Sequence, residues 1–73
     1  MEFAQRVKEI RSKLNMSQEQ LARELNISFA TVNRWENGKN IPNRMAKKAL
    51  YDFCKTKELE EKMIKHLLDY QNR

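Results

Sequence analysis

The sequence predicts an all-α domain, a bundle of five short helices around one core. Three observations carry this. Apolar residues recur at three- and four-residue steps along most of the chain. Residues that break helices are scarce, with one Gly (Gly38) and one Pro (Pro42). Ser and Asn residues stand where helices would need caps.

Phe3, Val7, Ile10 and Leu14 make one stripe, so the first helix is expected over Glu2–Leu14. Asn15 follows it, and Asn tolerates the left-handed conformation that ends a helix. Ser17 opens the second helix, and Ser17-Gln18-Glu19-Gln20 has the spacing of a capping box. Leu21, Ala22 and Leu25 form its apolar face, and Asn26 closes it. Ser28 caps a third helix over about Ser28–Glu36, with Val32 and Trp35 facing inward. Phe29, Ala30, Asn33 and Arg34 lie off that stripe. Asn37-Gly38 stops it, because Gly reaches positive φ without steric cost.

Lys39-Asn40-Ile41-Pro42 reads as a connector. Asn43 caps a fourth helix over Arg44–Lys55, with Met45, Ala46, Ala49, Leu50, Phe53 and Cys54 on the apolar side. Thr56 is expected to cap a fifth helix over about 57–71. Glu58, Glu60 and Glu61 fall near its positive end, and Leu59, Met63, Leu67 and Tyr70 form its stripe, with Ile64 and Leu68 beside it. Met16, Met45 and Met63 are expected as core fillers. The apolar surface of helix 5 has two readings, a lid that closes the core or a surface for a partner.

Composition narrows the function. The 73 residues are read as a single domain, too small to frame an enzyme cleft with its scaffold. Fifteen Lys and Arg against ten Asp and Glu give a net charge of +5. The isoelectric point of about 9.6 is in the range of nucleic-acid binders. Cys54 is the lone cysteine, so neither an internal disulfide nor a multi-cysteine metal site is available. His66 has no second ligand one helical turn away. Ser12, Ser17 and Ser28 have no paired base. No cofactor, metal or small-molecule substrate is expected. No apolar run suggests a membrane span or a signal peptide, so the expected location is cytoplasmic.

Two short helices joined by a tight turn, the second exposing polar groups, are the helix-turn-helix pattern. Here it occupies about residues 17–37. Val32 and Trp35 hold the second helix on one side, and the other side suits a major groove about 12 Å wide. The run Ser17-Gln18-Glu19-Gln20-Leu21-Ala22, then Ile27-Ser28, Thr31-Val32, Trp35-Glu36-Asn37-Gly38-Lys39 and Pro42, closely resembles the lambdoid phage repressor and Cro family of XRE-type regulators. The resemblance covers about residues 3–55 and implies a lambda-repressor-like fold that binds double-stranded DNA.

Residue by residue, the resemblance gives Phe29, Ala30, Asn33 and Arg34 the groove-facing positions. It gives Gln18 a phosphate contact that also supports the recognition helix. Thr31, Asn37, Gly38 and Lys39 fall at backbone-contacting positions, and Ser28 and Asn40 beside them are counted with these. Arg11 and Glu36 match an ion pair that ties helix 1 to the end of helix 3. An Arg at position 34 would read guanine O6 and N7. Asn33 has two readings, a base or a phosphate. Phe29 also has two, a thymine methyl or a staple against the core. The competing function is a protein-interaction module, antitoxin-like or partner-docking. A weak homodimer, strengthened on palindromic DNA, is expected, with helix 5 the candidate contact.

Overall fold

In a computed structural model, which describes residues 3–39, 42–65 and 67, the helices are α1 (Phe3–Leu14), α2 (Gln18–Leu25), α3 (Phe29–Glu36), α4 (Arg44–Thr56) and α5 (Glu61–Ile64). The described residues contain no strand. The core is the sum of the stripes. Phe3, Val7 and Ile10 of α1, Leu21 and Ala22 of α2, and Val32 and Trp35 of α3 are buried with Leu50, Cys54, Ile64 and Leu67. Helix α3 packs against both α1 and α2, α4 against α2, and α5 against α4. The Phe3 and Trp35 rings meet edge to face, centroids 5.9 Å apart, which fixes the inner side of α3 against the start of α1.

The caps are formed as the sequence requires. Ser17 Oγ accepts from the Gln20 amide at 3.0 Å while Gln20 Oε1 accepts from the Ser17 amide at 2.8 Å, a complete capping box. Ser28 Oγ accepts from the Thr31 amide, and Asn43 Oδ1 from the Ala46 amide. Asn15, Asn26 and Gly38 take positive φ, at 57°, 58° and 71°.

Three expectations need correction. Met45 is 83% exposed and Ala49 is exposed, while Lys47 is buried. The inward side of α4 is Ala46, Leu50, Phe53 and Cys54, and Lys47 lies on the Cys54 edge of it. A residue step in a helix turns the side chain by about 100°, which takes Met45 off the Ala46 line. Lys47 turns inward on the Leu50 and Cys54 side and is only 6% exposed. Thr56 does not cap α5. It is the last residue of α4, and its hydroxyl donates to the Phe53 carbonyl at 2.6 Å. The described part of the fifth helix is Glu61–Ile64, shorter than 57–71, without a side-chain cap; Tyr51 Oη donates to Glu61 Oε1 at 3.2 Å and pins its start to α4. Glu58 has φ of 60° and belongs to the turn after α4. His66, Leu68, Tyr70 and Asn40 lie outside the described residues.

Ile64 and Leu67 are buried, and Leu59 and Met63 pack on the same cluster, so α5 and the described residues on either side of it close over the core. Burial of the Cys54 thiol pushes its pKa up to about 12, which keeps it a thiol and unreactive at neutral pH. No described helix is long and apolar enough to cross a membrane.

Candidate nucleic-acid interface

Helix α3 has one side committed to the core by Val32 and Trp35 and one side open. On the open side Phe29, Ala30 and Arg34 are exposed and Asn33 is half-buried. Phe29 keeps 50% of its surface and stands outside the core cluster, so it does not serve as a staple. Asn37, Gly38 and Lys39 continue the same open edge. Arg34 and Lys39 form no ion pair with any described residue. Two exposed cations with no ion-pair partner among the described residues are what an anionic backbone would meet first.

The far end of α3 is fixed by charge. Glu36 is 4% exposed. Arg11 reaches it from α1 with two bonds, Nε to Oε2 at 2.5 Å and Nη2 to Oε1 at 2.7 Å, a bidentate pair. A third bond runs from Arg11 Nη1 to the Met16 carbonyl at 3.0 Å, just past the end of α1. Burial pushes the Glu36 carboxyl up, but the hydrogen bonds from Arg11 and Gln18 and the Arg11 charge outweigh it and leave the pKa below its ordinary value. The hydrogen bond to Glu36 raises the Arg11 pKa correspondingly. Both groups are ionised across the neutral range.

Gln18, first residue of α2, turns its side chain across to α3. Its Nε2 donates to Glu36 Oε1 at 2.9 Å, and its Oε1 accepts from Asn33 Nδ2 at 3.1 Å. Asn33 Oδ1 in turn accepts from Asn37 Nδ2 at 3.0 Å. Five expected site residues, Arg11, Glu36, Gln18, Asn33 and Asn37, thus form one connected line of hydrogen bonds. Ser28 and Thr31 form a separate pair, with their hydroxyl oxygens 2.8 Å apart beside the first turn of α3. Sequence reasoning found each residue but missed the line. Its signal was the placement of Asn33, Glu36 and Asn37 at i, i+3 and i+4 on one helix face.

Compared with known proteins, residues 7–49 match a helix-turn-helix family model. The chain is 38% identical over 53 residues to the HTH-type transcriptional activator BcrR of Enterococcus faecalis. That alignment covers 73% of this chain and 26% of the relative, so the chain spans about a quarter of that protein's length. No solved structure gives a significant match.

Proposed function

The chain belongs to the helix-turn-helix family of the phage repressor and Cro type, and we propose that it binds double-stranded DNA sequence-specifically, with α3 in the major groove, as a transcription regulator or the DNA-binding module of one. The observation that supports this most is the asymmetry of α3. Its inner side is locked by Trp35, Val32 and the buried Glu36, while its outer side offers Arg34 and Asn33 beside the exposed Lys39. A rigidly held helix with a polar, cationic outer face suits groove readout.

In this reading Phe29, Ala30, Asn33 and Arg34 face base edges. Arg34 is the guanine reader, and Phe29 offers its exposed ring to a thymine methyl. Lys39, Asn37 and Gly38, with Ser28, Thr31 and Gln18 at the starts of α3 and α2, take the phosphates on either side. The positive end of α2 adds to the attraction. Asn40 belongs to the same group by position in the sequence. Two copies sit on half-sites about 34–36 Å apart, either as a weak homodimer that palindromic DNA strengthens or joined by sequence beyond these 73 residues.

Salt titration of binding to a generic duplex, followed by selection of bound sequences from a random pool, tests the proposal. Binding must weaken steeply as salt rises, and the selected sites must share a motif. Salt-insensitive binding, or a selected pool with no motif, refutes it.

A further inference from the structure

We propose that Asn33 reads adenine, and that the buried Arg11–Glu36 pair, acting through Gln18, fixes which way round its carboxamide faces the groove. This rests on the reading that α3 enters the major groove.

A carboxamide is nearly symmetric in shape and opposite in chemistry at its two ends. A freely turning Asn can present its oxygen or its nitrogen. Here the choice is made at a distance. Glu36 is ionised and its side chain is 2% exposed, so it can only accept. Gln18 must therefore give it Nε2, as the 2.9 Å contact shows. The Gln18 oxygen is then the end left for α3, and it can only accept. Asn33 must answer with Nδ2, at 3.1 Å. That leaves Asn33 Oδ1 to accept, which it does from Asn37 Nδ2 at 3.0 Å. Each step follows from the one before. The root is a buried charge that Arg11 holds in place with two bonds.

Counting what remains gives the base. The Asn33 carboxamide has two donor hydrogens and room for two accepted bonds. Gln18 takes one donor and Asn37 uses one acceptor site, so one of each is left on a half-buried side chain. Adenine shows the complement in the major groove, N7 as acceptor and the N6 amine as donor. Guanine shows two acceptors, N7 and O6, and would need two donors. Cytosine's amine or thymine's O4 could use only half of what Asn33 offers. Neighbouring Arg34, which has donors only, suits guanine, so adjacent residues of α3 ask for different bases. In this scheme Asn33 touches the base, while Gln18 and Glu36 are positioning residues.

The test is selection from a random duplex pool with the 73-residue chain and three variants. Circular dichroism melting confirms that each is folded. The intact chain should select an adenine, preferred over other bases roughly tenfold to a hundredfold. Asn33→Ala should abolish the preference at that base pair alone. Gln18→Met keeps the length of the side chain and leaves the Arg11–Glu36 pair whole, but cuts the line. It should relax the adenine preference severalfold although Asn33 is intact, while the Arg34-dependent guanine stays. Loss of a phosphate contact by Gln18→Met would lower affinity for all sequences, and is not the readout. Arg34→Ala serves as the control for groove entry. If Arg34→Ala relaxes a guanine but Asn33→Ala changes no position, Asn33 is no reader and the proposal falls while the groove reading stands. If Gln18→Met leaves the adenine preference unchanged, the positioning role falls. If neither Arg34→Ala nor Asn33→Ala alters any base, the groove reading itself is wrong.

Discussion

Four helices of this chain end in the same backbone turn, and one of them ends differently in its side chains. After α1, α2, α3 and α4 the chain places one residue at positive φ: Asn15, Asn26, Gly38 and Glu58. The next residue then returns its amide to the last turn. Met16 bonds the Arg11 carbonyl at 2.9 Å, Ile27 that of Ala22 at 2.9 Å, Lys39 that of Arg34 at 3.0 Å and Leu59 that of Cys54 at 3.3 Å. In three of these turns the returning residue is apolar and packs on the core, as such turns favour. In the fourth it is an exposed lysine. The same turn serves as a hydrophobic latch at three ends, and at the end of α3 it holds a cation out to solvent.

The α3 end must then be secured by something else. The buried Glu36 beside the turn does this. Arg11 clamps it and at the same time holds the Met16 carbonyl at the end of α1. A polar clamp thus stands where the other ends have an apolar latch. Breaking it should give the largest loss of stability. Glu36→Ala leaves Arg11 partly buried and unpaired, and should cost about 3 kcal/mol in urea unfolding, toward the low end for buried pairs because Arg11 is 23% exposed. A loss below about 1 kcal/mol would mark the pair as an ordinary surface contact.

The same clamp sets a pH dependence. Glu36 has a folded pKa below its unfolded value. Its stabilising contribution is therefore complete above the unfolded pKa, about 4.3, and is lost as pH falls through the folded one. The stability gap between the intact chain and Glu36→Gln should narrow as pH falls below about 4. A gap that stays constant down to pH 3 would mean that the clamp does not depend on the Glu36 charge.

Exchanging latch and cation sharpens the contrast. Ile27→Ala should cost about 1–2 kcal/mol, less than a fully buried residue because Ile27 is only half-buried. Lys39→Ala should change stability by less than about 0.5 kcal/mol. Its effect should appear on DNA instead, as weaker binding to every sequence and a salt slope lower by roughly one phosphate. If Lys39→Ala destabilised the fold like Ile27→Ala and left DNA binding intact, the four turns would be equivalent and the contrast void.

Much of this was legible in the sequence because it is local. The capping box at Ser17, the caps at Ser28 and Asn43, the left-handed Asn15 and the stop at Asn26 depend on neighbours within a turn, and the stripes depend on periodicity alone. What failed needed a direction in space. Helix α4 carries apolar residues on more than one line, and only packing against α2 and α5 decides that Ala46 turns inward, Met45 outward, and Lys47 in. Thr56 has a cap's chemistry, yet α4 runs on through it. At the interface, residue types and positions were legible through the family resemblance. The line from Glu36 through Gln18 to Asn33 was not, because an amide chooses its partner from whatever tertiary packing brings within 3 Å or so.

The smallest effect separates the turns by backbone strain. Three of the left-handed residues are Asn or Gly, types that adopt this conformation at little cost. Glu58 is not, and its φ of 60° carries the steric penalty of an ordinary side chain, about 1–2 kcal/mol. Glycine removes that penalty but gains freedom in the unfolded chain, which offsets about 0.5–1 kcal/mol. Glu58→Gly should therefore stabilise the fold by about 0.5–1 kcal/mol, read as a higher urea midpoint at unchanged slope. Glu58→Asn should give a similar gain, because Asn tolerates the conformation without glycine's entropy. Gly38→Ala supplies the opposite sign. A Cβ there meets no atom within 4 Å, so its cost is conformational alone, about 1 kcal/mol, and not a clash. The two substitutions must also part on DNA. Glu58 has no place in the proposed interface, so Glu58→Gly should leave affinity unchanged. Gly38 sets the turn that carries Lys39, so Gly38→Ala should weaken binding even where the domain is fully folded. Equal effects of both on affinity would mean that the α3 turn is no more functional than the other three.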